Sequence, residues 1–285
     1  MNEAETRAEH IDPTLAAPDF HQGDAFHMKK YHFDIERVGG IEDLCKRMTG
    51  KALQSPFRST VPLLSLVENS QPEWQSLLAL LGAPPDSAIH FEYCVASPKP
   101  GGNPSQTDAL LMSDSTVWAV EAKWTEPRYE TVAKRIRKPE SDGGDPRTTV
   151  DGWLKYLRPF ATRDLHVDDF LDVVYQVLHR AASACAVATA NQLQPHLVYL
   201  HFHPSSLPSS ATTSQYIADL RDLYALLGNP DGVKFTVVEM PLKPTAAFES
   251  IRDLDKRAKE SAAQVKTALC SGPLFTFAKP LITQI

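Results

Sequence analysis

Three extended runs follow one another with no helix between them, and this constrains the chain more than any other feature. Ile89 to Val95 (IHFEYCV), Asp108 to Met112 and Val117 to Trp124 are rich in β-branched, aromatic and aliphatic residues. Turn chemistry bounds them: residues 97–105 (SPKPGGNPS) after the first, and Ser113 to Thr116 between the other two. The period then alternates. A helix is predicted over about 150–161 and a longer one from about Asp168 to Ala190. A strand follows at His196–Phe202, a helix at 215–227, a strand at Val233–Met240 and a charged amphipathic helix at 245–269.

Upstream, residues 30–38 read as a strand, Ile41 to Met48 as a short helix and Leu63 to Val67 as part of another. Ser70 and Glu73 have capping-box spacing ahead of a helix that Gly82 closes. From residue 63 the order is helix, three strands, helix, strand, helix, strand, helix. That order predicts an α/β fold with a mixed central β-sheet flanked by helices. The 285 residues suffice for a sizeable core, and 42% hydrophobic with 22% charged residues exclude general disorder, collagen and coiled coil.

Charge is unevenly spread. Residues 1–27 hold six acids and one base, so they carry -5 of the net -6 and leave -1 for residues 28–285. The division expected is an acidic mobile arm, 1–27, and a single domain, 28–285. A nearly neutral body does not coat nucleic acid by charge alone, yet it allows a local basic patch. Residues 128–138 supply one: Arg128, Lys134, Arg135, Arg137 and Lys138 against Glu130, a local +4. Beside the segment considered next, that patch is a candidate phosphate contact, although such runs are usually solvated faces.

The four cysteines form no CxxC pair, which argues against a zinc ribbon or disulfide framework and for a reducing, cytoplasmic setting. No signal peptide is evident, and the uncharged stretch from Ala181 to Ala218 is broken by Asn191, Gln192, Gln194 and Pro195, so no membrane span is expected. GxGxxG, P-loop, GxSxG and HExxH patterns are absent.

The chemistry is concentrated in the hairpin. Glu121 and Lys123, two apart on one strand, share a face. A turn centred between residues 114 and 115 puts Asp108 directly opposite Glu121, with Cβ atoms ~4.5–5.5 Å apart. Two carboxylates at that distance repel each other, and a hard divalent cation such as Mg²⁺ resolves the conflict. Lys123 beside it could orient or deprotonate a water, or neutralise charge on a phosphorane-like transition state. Glu121-Ala-Lys123 is the only acid-x-Lys triplet, and its flanks are apolar on both faces, as on an interior strand. The alternative is an incidental acid–base cluster on an exposed hairpin. His201 and His203 share a strand face but have no third ligand close in sequence, so they read as polar strand-end residues.

With Asp108, Glu121 and Lys123 so spaced, the chain resembles the PD-(D/E)xK nuclease superfamily, the restriction-endonuclease-like fold. The resemblance covers roughly residues 60–203 as an αβββαβ core and leaves 204–285 as a C-terminal β/α extension. It implies Mg²⁺, or Mn²⁺, held by Asp108, Glu121 and the carbonyl of Ala122. It also implies hydrolysis of DNA, less often RNA, by an endonuclease of restriction, defence or repair, often a homodimer. Thr107 stands where the name-giving proline would be. Family members often add a carboxylate from the helix before the sheet: Glu68 or Glu73, with Glu68 preferred because Glu73 has its capping role, and Glu92 on the first strand a third option. Some use a glutamine or basic residue on the helix after the motif strand, here Gln176 and Arg180, with His179 nearby. The competing reading is the same fold as a binding module, catalytically weak or inactive, which the acidic arm and near-neutral body favour mildly.

Overall fold

A computed structural model describes residues 31–48, 52–99, 102–138, 145–205, 207, 209–255 and 260–285. The expected acidic arm at 1–27 lies outside them. The strands are β1 (Tyr31–Phe33), β2 (Glu36–Val38), β3 (Ile89–Val95), β4 (Ser105–Met112), β5 (Thr116–Lys123), β6 (Gln194–His203), β7 (Lys234–Pro244), β8 (Phe275–Phe277) and β9 (Leu281–Gln284). The helices are α1 (Ile41–Arg47), α2 (Thr60–Asn69), α3 (Gln71–Leu81), α4 (Val132–Ile136), α5 (Pro146–Leu157), α6 (Tyr175–Asn191), α7 (Thr213–Leu226), α8 (Ala246–Ile251) and α9 (Ser261–Ser271).

The strands form one mixed sheet in the order β2-β1-β3-β4-β5-β6-β7, with β8 and β9 both pairing the far side of β7. The β3–β4 and β4–β5 pairs are antiparallel, while β5–β6, β6–β7 and β1–β3 are parallel. The crossovers between parallel neighbours carry the helices, so both faces are covered and the inner strands are largely apolar. On one face Ala109, Leu111, Val120 and Ala122 pack with Leu63 and Leu66 of α2 and Phe248 of α8. On the other, Leu110, Val117 and Ala119 pack with Trp153 of α5, Val177 and Leu178 of α6 and Leu220 of α7.

Several expectations shift. The helix expected from Asp168 starts at Tyr175, because residues 171–173 are engaged with the start of α4: Val132 N–H donates to the Val173 carbonyl and Ala133 N–H to that of Leu171, each at 2.8 Å. Ser70 opens α3 without a side-chain cap bond, so the capping box is not made. Thr212 and Gln215 make one at α7 instead. Gly82 closes α3 in the left-handed region at φ 69, where Cβ-bearing residues are strained. The helix expected over 245–269 ends at Ile251 and resumes at Ser261 as α9.

Candidate active site at the carboxyl ends of β3 and β5

The register of β4 and β5 pairs Ala109 with Val120 and Met112 with Val117, so continuing it sets Asp108 opposite Glu121. Between β3 and β4, the pairs Phe91–Ala109 and Tyr93–Thr107 leave Glu92 across from Asp108. On the far side Glu121 pairs Tyr199 of β6. Glu92, Asp108 and Glu121 thus form a lateral row over three adjacent strands. Lys123 follows Glu121 two residues on and pairs His201.

The acids are held differently. Glu121, 2% exposed, accepts from Lys123 Nζ (2.7 Å) and Gln176 Nε2 (3.0 Å) at Oε1. Its Oε2 lies 2.7 Å from Arg180 Nε. The guanidinium N–H does not point along that line, so both buried atoms lack a hydrogen bond. Arg180 Nη1 donates instead to Ser105 Oγ at 2.7 Å. Gln176 and Arg180, four apart, share the face of α6 that lies over β5. Asp108 Oδ2 accepts the Ala122 backbone N–H at 2.8 Å. Glu92 adopts φ 53 inside a strand, a conformation costly for a residue with a Cβ.

Electrostatics follow. Burial and then Glu121 push the Asp108 carboxyl well above its ordinary range. Burial raises Glu92 to about 7, with Arg180 opposing and Glu121 adding. Burial lowers the Lys123 amine, but Glu121 and Asp108 outweigh it and the net shift is upward. Burial and Arg180 hold His179 down to about 3, so it is neutral.

The row floors a cleft of about 420 Å³. One wall carries Arg58, Ser59 and Thr60 at the start of α2; another carries Gln176, Arg180 and Tyr129. Lys123 Nζ sits 5.2 Å from the Tyr129 ring centre. Glu126 ties the walls together by accepting the N–H groups of Ser59, Trp124 and Thr125.

Thus Asp108, Glu121, Ala122, Lys123, Gln176 and Arg180 come together. Glu68 does not: it accepts the Tyr31 hydroxyl at 2.5 Å, about 12 Å along α2 from the residue that reaches the cleft, at ~1.5 Å per helical residue. Glu92 is the third acid of the row. Within the basic run, Arg128 turns away to bond Asp219 of α7, Lys138 pairs Glu130 at 2.5 Å, and Arg135 lies 5.6 Å from the Tyr175 ring centre. Lys134 and Arg137 are exposed. His201 is buried and its Nδ1 lies 2.8 Å from Thr213 Oγ1. Sequence reasoning missed Arg58, Ser105, Glu126 and Tyr129, whose roles depend on non-local packing.

Among the described residues no three His, Cys, Asp or Glu side chains converge as a ready metal cluster. The two carboxylates, Asp108 and Glu121, match the one or two that Mg²⁺ commonly takes alongside waters and phosphate. The buried Glu121 oxygen without a hydrogen bond and the raised Asp108 carboxyl are both compatible with a cation at this site.

A family model described as a domain of unknown function (DUF6946) matches residues 37–245, which include every cleft residue named above. No curated protein and no solved structure matches the chain. No helix among the described residues is long and apolar enough to cross a membrane.

Proposed function

We propose that this chain, which belongs to the DUF6946 family, is a divalent-cation-dependent nuclease of the PD-(D/E)xK kind, with DNA as its first substrate. The observation that carries this reading is the lateral row of Glu92, Asp108 and Glu121, with Lys123 beside it in the same cleft. Asp108 and Glu121, with the Ala122 carbonyl that the resemblance implies, would hold Mg²⁺ or Mn²⁺. Such an ion acidifies a water and offsets charge on the phosphate oxygens.

The chain's own groups do the rest. The Ala122 N–H anchors Asp108 against β5, and Gln176 fixes the Glu121 side chain. Lys123 donates to Glu121, so its contribution is positive charge beside the reacting phosphate rather than proton abstraction. Arg58 and the first turn of α2 offer cationic and dipolar character to a phosphate on the opposite wall. A cytoplasmic workplace belongs to the same reading, since Cys45, Cys94, Cys185 and Cys270 are in no disulfide.

A second reading, a nuclease-like module that binds without cutting, is favoured by one feature: Arg128 and Lys138 are spent on Asp219 and Glu130, which weakens the electrostatic footprint. Incubation with circular duplex and single-stranded DNA in Mg²⁺ or Mn²⁺ separates the two. Cutting by wild type but not by Lys123→Ala or Asp108→Asn supports the enzyme. Binding without cutting supports the module, and neither binding nor cutting discards both.

A further inference from the structure

We propose that Arg180 is a built-in competitor for the cation at Glu121, one that occupies Oε2 in the metal-free protein and passes to a substrate phosphate when the ion arrives. The proposal rests on the reading that Asp108 and Glu121 hold a divalent cation. Glu121 has two oxygens with different histories. Oε1 is taken by Lys123 Nζ at 2.7 Å and Gln176 Nε2 at 3.0 Å. Oε2 lies 2.7 Å from the Arg180 guanidinium, without a directed hydrogen bond. An arriving ion therefore meets Arg180, not Lys123.

The contact has the character of a placeholder. A structural Arg–carboxylate pair normally engages in forked, directed hydrogen bonds. Here the donor is misdirected, and the guanidinium is steadied from outside by Ser105 Oγ at 2.7 Å. A doubly charged ion and a guanidinium at one carboxylate oxygen repel each other, so binding of one weakens the hold of the other. The released side chain already lines the cleft, and a planar cation there suits a phosphate. Phosphate that draws Arg180 off Glu121 must then tighten ion binding, and the ion must tighten phosphate binding by the same factor.

The test is a Mn²⁺ titration of the full chain, read by the electron paramagnetic resonance signal of the free ion, first without nucleic acid. Losing one charged contact corresponds to about tenfold, so Arg180→Gln should bind Mn²⁺ about tenfold more tightly than wild type. Ser105→Ala, which loosens the guanidinium but keeps its charge, should tighten binding by a smaller factor, and Asp108→Asn should weaken it. Adding single-stranded oligothymidylate should tighten Mn²⁺ binding in wild type and not in Arg180→Gln. If Arg180→Gln binds no better than wild type while Asp108→Asn binds worse, the competitor proposal fails and the cation reading stands. If no variant binds Mn²⁺, the cation reading fails and takes this proposal with it. Should Arg180→Gln not fold by circular dichroism, Ser105→Ala decides: unchanged or weaker binding overturns the proposal.

Discussion

Replacing Asp108 by Asn should stabilise the metal-free protein while abolishing the proposed activity. Asparagine keeps the volume and an oxygen for the Ala122 N–H, now bonded at 2.8 Å. What it removes is a charge facing Glu121 on the adjacent strand. At ~5 Å and an effective dielectric of ~20, that repulsion is about 3 kcal/mol. Burial adds to it, and Lys123 and Arg180 subtract. The penalty also has a ceiling. Instead of folding ionised, the carboxyl can fold protonated. Against an ordinary value of 3.8 this costs at most 1.4 × (7 − 3.8), about 4 kcal/mol, at pH 7. Asp108 is partly open to the cleft, so the expected gain is about 1–3 kcal/mol, or roughly 3–8 °C in Tm. The sign with pH is fixed. The folded carboxyl titrates above the unfolded one, so its favourable contribution is full below the unfolded value and is lost as pH rises. The two proteins should melt together near pH 4 and diverge toward pH 7. Differential scanning calorimetry across that range, with and without Mg²⁺, tests this; Mg²⁺ should raise the wild-type Tm alone. A variant that melts below wild type at pH 7, or a gap that does not close in acid, refutes the reasoning.

Glu121→Gln should behave oppositely, because Lys123 (3% exposed) and Arg180 lose their shared counter-ion. Urea denaturation should show a loss of about 3–5 kcal/mol. Arg128→Ala should lower stability by about 2–5 kcal/mol by stranding Asp219, 4% exposed. It should leave the salt dependence of DNA binding unchanged, and a salt slope reduced by about one would instead assign Arg128 a phosphate contact. Burial holds His196 near 4, with Lys234 adding, so its unfolded form binds a proton first as pH falls below the ordinary 6.5. Stability should therefore decline from pH 6.5 toward 4, by about 3 kcal/mol from this residue, and His196→Gln should flatten that limb in urea titrations at stepped pH.

The readable parts of the chain were those fixed by local chemistry. A short polar turn between two apolar runs is enough to set the β4–β5 register, and with it the meeting of Asp108 and Glu121. The start of α6 was not readable, because the residues before Tyr175 obey a pairing with residues about forty positions away rather than their own helical pattern. β8 and β9 are three and four residues long and flanked by Pro273 and Pro280, too short to show a period. The basic run advertised its charge but not its partners, since Asp219 lies 91 residues from Arg128. Glu92 could be preferred over Glu68 only once the β3–β4 register was known.

Several departures from local rules gather in the cleft. Away from the cleft, Thr212 caps α7, and the buried His196 on β6 finds Thr236 Oγ1 at 2.8 Å. Inside it, Glu92 takes a left-handed conformation in mid-strand, two charged residues end an interior strand at 2% and 3% exposure, and Glu121 Oε2 and Arg180 Nε face each other without a hydrogen bond. A purely structural ion pair could be built more cheaply on the same sheet, for a forked arginine on a single carboxylate would satisfy both partners. Acids in one row repel one another, and Lys123 and Arg180 offset part of that repulsion at Glu121. That these departures line one cleft supports reading the sheet end as a ligand site.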